Sequence, residues 1–229
     1  MTQDAAGDPA VAVMYSGGLD SAVLVAHAAT QSAVQPIYVS VGLAWEREEL
    51  AAAMRLFARG AFGSRVRPLV PLRLDMQDVY PADHWAIRGE APGFDTPDED
   101  VYLEGRNIVL LSKAAVYMAR AKISRVMLGP LAGNPFPDAS DAFFRAIERA
   151  LSLGLAWTIR VETPLAGMRK ADVIRLGRSL EVPFDATLSC MQPREGLHCG
   201  RCSKCRERRD GFLEAGIVDP TRYQNTPAR

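Results

Sequence analysis

The sequence predicts an α/β fold: a doubly wound parallel sheet of five strands, followed by a small C-terminal zinc-binding module. Three observations carry that expectation. The run Val11-Ala-Val-Met-Tyr15 reads as a buried strand, ends in Ser16-Gly-Gly18 and passes directly into an apolar helix. Strand-like and helix-like runs then alternate as far as Leu180, the pattern of parallel strands joined by crossover helices. All four cysteines fall between Cys190 and Cys205.

The chain has 229 residues, 48% of them hydrophobic, which suffices for one well-filled core. Lys+Arg and Asp+Glu both number 27, so bulk electrostatics give no reason to expect nucleic acid as a partner. Residues 1–10 read as a flexible N-terminus, polar and without the basic flank and apolar core of a signal peptide. The most apolar segment, Ile108 to Ala119, is short and contains Lys113, so no membrane span and a cytoplasmic location are expected.

Each element follows in order. The first helix runs from Leu19 to about Thr30. Pro36 to Gly42 is the second strand. Glu46 to Gly60 places Leu50, Ala53, Met54 and Phe57 on one helical face. Val66 to Leu74 is a third strand, interrupted by Pro68 and Pro71 and therefore expected at an edge or bulged. Residues 75–104 hold three prolines and an acidic run, Asp95 to Asp100, and are expected to form a lid over the active site. Ile108 to Ala121 reads as a helix apolar nearly all round and therefore buried. Arg125 to Gly129 is the fourth strand. Ser140 or Asp141 caps a helix with Phe144, Ile147 and Leu151 inward and Gly154 past its end. Thr158 to Val161 is the fifth strand, Ala171 to Leu180 a short helix, and Arg206 to Gly216 the terminal helix. The domain therefore spans 11–185 and the cysteine module 186–229.

A strand that ends in a small-residue turn at a helix N-terminus is an anion site, because outward N–H groups and the helix dipole both favour phosphate. Ser16 and Ser21 add hydroxyl donors. Asp20 would repel a bare phosphate, so it is expected to cap the helix or to help hold Mg²⁺. The run Ser16-Gly-Gly-Leu-Asp-Ser21 is neither the Walker loop nor the dinucleotide fingerprint. It resembles the PP-loop of ATP pyrophosphatases, which cleave ATP between the α- and β-phosphates.

Cys190, Cys199, Cys202 and Cys205 stand as Cys-x8-Cys-x2-Cys-x2-Cys. Four local thiolates suit tetrahedral Zn²⁺, with glycines 196 and 200 for the turns; an iron–sulfur cluster would take the same ligands. A saturated zinc holds a fold and does not activate water. His198 is read as a neighbour of the cluster. With every cysteine so engaged, no thiol is left for persulfide chemistry or for a built-in glutaminase, and the chemistry points to nitrogen supplied as free ammonia, by an amine substrate or by a partner.

Three further stretches complete a resemblance: Gly105-Arg-Asn107 with its helix, Thr163-Pro-Leu165 followed by Lys170, and Ser189-Cys190 through Cys199-Gly-Arg-Cys-Ser-Lys-Cys205 with Arg208, Phe212 and Asp219. With the PP-loop they make the chain similar, from Val11 to about Tyr223, to the 7-cyano-7-deazaguanine synthases of queuosine-precursor synthesis. The resemblance implies an ATP-dependent carbon–nitrogen ligase that adenylates 7-carboxy-7-deazaguanine. Ammonia turns the acyl adenylate into an amide, and a second activation dehydrates the amide to the nitrile. AMP and pyrophosphate, or ADP-type products, leave.

It further implies ATP, Mg²⁺ and Zn²⁺ as cofactors, a deazaguanine-type acid and ammonia or another amine as partners, and a homodimer. Met14, Tyr15, Ser16, Gly17, Gly18, Leu19, Asp20, Ser21, Ala22, Val23 and Leu24 would surround ATP. Asp20, Ser21 and Lys170 would be catalytic, with Lys170 neutralising the departing pyrophosphate. Arg106, Asn107 and Asp138 would face the substrate.

Two stretches depart from the family pattern, Val41 to Glu46 and Asn134 to Ser140. They open a reading as a paralogue that joins a similar acid to another amine. A tRNA-modifying PP-loop enzyme would use the basic run Arg201, Lys204, Arg206, Arg208 and Arg209, which Glu207 and Asp210 dilute. A zinc-stapled nucleotide-binding module without catalysis is the remaining reading.

Overall fold

A computed structural model of the chain describes residues 10–225; the expected flexible N-terminus lies outside the described residues up to position 9. Chain order is β1 (Val11–Met14), α1 (Leu19–Ala29), β2 (Val34–Ser40), α2 (Glu46–Ala58), β3 (Val70–Arg73), α3 (Trp85–Arg88), α4 (Arg106–Arg120), β4 (Arg125–Met127), α5 (Asp141–Leu155), β5 (Arg160–Glu162), α6 (Lys170–Ser179) and α7 (Ser203–Ala215). All five strands pair in parallel, in the order β3-β2-β1-β4-β5. The chain winds outward from β1 in both directions, so the topological switch lies between β1 and β4, where an open α/β sheet binds ligands at its carboxyl edge.

Strand alternation feeds two cores. Val11 and Val13 point into a cluster with α1, α6 and Phe212 of α7, while Ala12, Ile37 and Val39 point into one with α4 and α5. The expected edge strand is β3, and an edge tolerates the missing donor of Pro71. It is shorter than the residue pattern suggests: Val66 makes only a single bridge to Val34, because Pro68 interrupts the ladder.

Three elements differ from expectation. Helix α4 is not buried all round: Leu111, Ala114, Ala115 and Met118 face the sheet, while Ile108 and Val116 are about half exposed, at 48% and 51%. It is an outer layer, so only one stripe meets the core. In α5, Ser140 is the cap, its Oγ accepting from Phe143 N at 3.2 Å, and Phe144 and Ile147 are buried. Gly154 lies inside this helix, and Ala156 at φ 46° is the left-handed residue that ends it. The inner face of α2 is Glu46, Glu49, Ala52, Ala53 and Leu56, with Met54 exposed. Of its polar residues, Glu46 accepts from Ser40 Oγ, Val41 N and Gly42 N, and Glu49 borders a cavity.

The connection over residues 75–104 carries α3 and a 3₁₀ turn at Asp98–Val101. Its far end is tied to the cysteine module. Arg206 donates to the carbonyls of Phe94 and Thr96, both at 2.8 Å, and pairs with Asp98, while Ser203 N donates to Pro92 O at 3.2 Å.

Close packing of α1 on α6 depends on Gly177. An alanine Cβ there would stand 2.5 Å from Val23 Cγ2 and 2.6 Å from Phe184 Cζ. Helix propensity alone favours alanine by about 1 kcal/mol, but overpacking costs about 1–3 kcal/mol. Gly177→Ala is expected to destabilise the protein by up to about 2 kcal/mol, read as a lower urea midpoint at an unchanged slope.

Candidate active site and metal centre

The loop after β1 is built by its own hydroxyls. Ser16 N donates to Ser21 Oγ at 3.2 Å, Gly18 N to Ser16 Oγ at 3.3 Å, and Ser21 Oγ to Gly18 O at 3.1 Å. Gly17 adopts φ +78°, and a Cβ there would meet the carbonyl oxygen of Glu49 at 3.0 Å and the backbone nitrogen of Ala53 at 3.2 Å. Only glycine lets α2 seat this closely on the loop. Leu188 N donates to Gly17 O at 2.9 Å, so the segment before the cysteines fixes the loop from the other side.

Asp20 does not cap α1; the cap position is Gly18, which has no side chain to cap with. Instead Lys170, the first residue of α6, donates to Asp20 Oδ2 and, at 2.9 Å, to Glu207 Oε1 of α7. Lys204 pairs with the other oxygen of Glu207 at 2.7 Å. Burial pulls the Lys170 ammonium down, but Asp20 and Glu207 outweigh it and hold it above its ordinary range. Burial likewise pushes Glu207 up, and the two lysines overcome it, so this carboxylate stays ionised below the usual range. Asp20 Oδ1 is buried without a partner.

A cleft opens over the loop in two adjoining halves that share Ser16, Asp20, Ser21, Glu49, Arg106 and Phe136. One half lies over the strand ends and is walled by Met14, Tyr15, Tyr38, Asn107 and Gly129. The other is walled by Trp45, Trp85, Leu103, Met191 and the Lys170 cluster. Trp45 and Trp85 stack with ring centroids 5.7 Å apart and planes 8° from parallel. Trp85, Val101 and Leu103 come from the 75–104 connection, Trp45 from the stretch after β2, and Phe136 from the loop after β4.

The structure brings Met14, Tyr15, Ser16, Gly18, Leu19, Asp20, Ser21, Lys170, Arg106 and Asn107 to this cleft. It does not bring Ala22, Val23 and Leu24, which are fully buried in the core under α1. Asp138 is also absent from the cleft wall: its Oδ2 accepts from Asn107 N at 2.9 Å and its carbonyl from Asn107 Nδ2 at 3.0 Å. It serves as a buried acceptor at the first turn of α4. Arg106 Nε is buried without a partner.

Sequence reasoning passed over Glu49, Trp45, Trp85 and Glu207. Glu49 accepts from Tyr38 Oη at 2.9 Å and is buried. Burial pushes its carboxyl up, against Arg106 and the Tyr38 hydrogen bond, to about 7. Burial, with Glu49 nearby, also holds Tyr15 and Tyr38 as neutral phenols.

The four cysteine sulfurs lie within 4.8 Å of one another, all buried. Sγ–Sγ separations of 3.5 Å (Cys202–Cys205), 3.9 Å (Cys199–Cys205) and 4.0 Å (Cys190–Cys202) bracket the ~3.8 Å edge of a tetrahedron with zinc–sulfur bonds of ~2.3 Å. Backbone N–H groups of Gln192 and Cys199 point at Cys190 Sγ, and that of Arg201 at Cys199 Sγ, as negative thiolates require. The residues fit a structural Zn²⁺ with no open position. His198 stands outside this set, its Nε2 accepting from Ser189 N at 3.1 Å. For Mg²⁺, the unpartnered Asp20 Oδ1 is the protein ligand that the cleft offers.

The basic run is spent largely inside. Arg208 is 1% exposed and donates to Thr187, Ser189, Thr221 and Phe184 O. Arg206 and Lys204 are held as described above, Arg209 pairs with Asp210, and Arg201 is exposed and donates to Asn225 Oδ1 at 2.8 Å. No helix among the described residues is long and apolar enough to cross a membrane.

A parallel sheet whose first strand ends in this hydroxyl-braced loop at the switch point, with a lysine returned to the loop's aspartate, defines a nucleotide-using α/β protein of the PP-loop type. A sequence profile of the family described as "Queuosine biosynthesis protein QueC" matches residues 10–216, and the chain belongs to that family. The chain is 34% identical to the 7-cyano-7-deazaguanine synthase of Anaeromyxobacter dehalogenans, over 92% of its own length and 94% of the relative's. It is 35% identical to the enzyme of that name from Methanothrix thermoacetophila, over 93% and 97% of the two chains. Among solved structures, a predicted subunit of a tRNA methyltransferase from Methanocaldococcus jannaschii superposes with a TM-score of 0.47 at 15% identity, over 95% and 93% of the two chains.

Two predictions follow from the site. Cys202→Ser breaks the metal shell and is expected to cost on the order of 4 kcal/mol, a fall of about 10 °C in melting temperature for a chain of this size, together with loss of bound zinc by elemental analysis. Glu49 titrates near 7 in the folded state and near 4.5 when unfolded. The native state therefore holds a proton that the unfolded chain has lost, and stability falls as pH rises from about 4.5 to 7, by up to about 3 kcal/mol. Glu49→Gln lacks this loss, so urea titrations should show the variant gaining on the wild type across that window and nowhere else.

Proposed function

We propose that this chain is an ATP-dependent carbon–nitrogen ligase that activates 7-carboxy-7-deazaguanine and carries it through the amide to 7-cyano-7-deazaguanine. The observation that carries the reading is the meeting of Asp20 and Lys170, 150 residues apart, beside the Ser16–Ser21 loop in a cleft with a second, aromatic-walled half. Membership of the family supplies the substrate class.

A carboxylate is a poor electrophile, so the acid must first displace pyrophosphate from the α-phosphate. The hydroxyls of Ser16 and Ser21, with the first-turn N–H groups of α1, would cradle the phosphates. The Lys170 ammonium leaves Asp20 and neutralises charge on the departing pyrophosphate, a contribution realised mainly in the transition state. Asp20 Oδ1 would hold Mg²⁺, which screens phosphate charge when bound. Arg106 sits where the two halves join and meets the carboxylate of the acid. Trp45, Trp85 and Phe136 enclose the heterocycle and exclude water. The connection over 75–104 supplies part of that wall and acts as the lid, closing over bound substrates.

One observation favours a second reading. The stretches that depart from the family pattern deliver Trp45 and Phe136 to the cleft wall. A paralogue that couples a similar acid to a different amine would alter the same two stretches.

Protein, ATP, Mg²⁺, 7-carboxy-7-deazaguanine and ammonium, followed by pyrophosphate release and product mass, should yield the nitrile. An amide that goes no further supports the paralogue, and no pyrophosphate release with any deazaguanine acid would sink both readings. Lys170→Met is expected to lower kcat/KM about 10²–10³-fold or more. Asp20→Ala should abolish turnover while zinc content and far-ultraviolet circular dichroism stay as in the wild type.

A further inference from the structure

The nitrogen donor has a chemical requirement that the activation machinery leaves unmet. At neutral pH ammonia is held almost entirely as ammonium, which has no lone pair to attack with. The amine must lose a proton as it approaches the acyl carbon, and a second once the new bond forms. Lys170 and Arg106 are cations and cannot take it. Some group beside the reacting carbon has to.

The position of that carbon is constrained. The acid occupies one half of the cleft and its carboxylate must reach the α-phosphate in the other, so the reacting carbon lies where the halves join. Among the described residues, two carboxylates line both halves, Asp20 and Glu49. Asp20 pairs with Lys170 through Oδ2, and its Oδ1 is the oxygen assigned to Mg²⁺, so it stays engaged with cations. Glu207 lines only the second half and is bound by two lysines. Glu49 is left, with no cation in direct contact among the ion pairs of the described residues.

Its placement is rigid. Its backbone packs on Gly17 of the phosphate loop, and its Oε2 accepts from Tyr38 Oη at 2.9 Å. Three unpartnered buried polar atoms belong to residues of the same cleft wall, Tyr15 Oη, Asp20 Oδ1 and Arg106 Nε. The charged and titratable groups around Glu49 come from every neighbouring element: Tyr15 after β1, Tyr38 of β2, Glu46 of α2 and Arg106 of α4.

We propose that Glu49 is the general base of the carbon–nitrogen bond-forming step, taking a proton from the incoming amine. Ammonium gives one proton to the Glu49 carboxylate. The freed nitrogen lone pair forms the bond to the acyl carbon, and the bond from that carbon to the phosphate oxygen breaks with its electron pair leaving on AMP. The second N–H proton passes to water, and Glu49 returns its proton to solvent before the next turnover. A buried carboxyl near 7 is suited to this, because a base works best when its affinity for the proton matches the working pH. Tyr38 is a positioning residue: its hydrogen bond fixes the carboxylate and favours the ionised form.

The assignment rests on the ligase reading, and the test separates the two. Wild type and Glu49→Gln are compared in three assays: ATP–pyrophosphate exchange driven by 7-carboxy-7-deazaguanine alone, amide formation with ammonium, and hydroxamate formation with hydroxylamine, which is already uncharged at neutral pH. The variant should keep exchange to within about threefold, lose about 10²-fold or more of amide formation, and form hydroxamate within about tenfold of the wild type. Tyr38→Phe should move the pH dependence of amide formation to higher pH, which a purely structural role would not do. Exchange falling in step with amide formation, unchanged amide formation, or no recovery with hydroxylamine each overturns the role of Glu49 while the ligase reading stands. A wild type without exchange overturns the ligase reading and the base with it.

Discussion

The Lys170 ammonium, closed between Asp20 and Glu207, is the contact on which the arrangement of the carboxyl edge depends. An ammonium taken out of water alone would cost several kcal/mol, and only close carboxylates offset that. The three residues begin or lie on three different helices, α1, α6 and α7, so satisfying one charge fixes the relative positions of all three. The approach is possible because α7 offers no side chain at the crossing. A Cβ on Gly211 would stand 2.3 Å from Lys170 Cγ. The phosphate loop, α6 and the helix that follows the metal knuckle meet at this crossing.

The fold was largely legible because its signals are local and periodic. Strand, small-residue turn and helix follow one another at Val11–Ala29 with no intervening ambiguity, and two prolines mark β3 as an edge. Where the residue pattern misled, tertiary context had overridden it. Ile108 and Val116 look like core and sit on the outer surface, because hydrophobicity says that a residue tolerates burial and not that a neighbour exists to bury it. Gly154 resembles a helix stop, yet Ala156 takes the left-handed turn two residues later.

The site divides in the same way. The loop and the four cysteines carry short-range patterns tied to definite chemistry, whereas Lys170 carries none and entered through the family resemblance. Glu49 and Glu207 carry none: a glutamate on an amphipathic helix looks like a solvated charge until the facing element is known. Asp138 shows the converse. The family resemblance implied a substrate contact, but its carboxylate accepts from the Asn107 backbone amide at the start of α4. The Trp45–Trp85 stack joins residues 40 positions apart and has no counterpart in any local pattern.

The two halves of the cleft are built from different kinds of chain. The Ser16–Ser21 loop, Arg106 and Lys170 sit at or beside the first turns of α1, α4 and α6, anchored by both cores. Trp45, Trp85 and Phe136 sit on or next to the connections between elements, where sequence can drift without disturbing the sheet. On the proposed ligase reading, activation and recognition are thereby separable in heredity. A lineage can exchange the molecule it modifies by redrawing a few surface connections, keep its means of breaking ATP, and pass through intermediates that still fold.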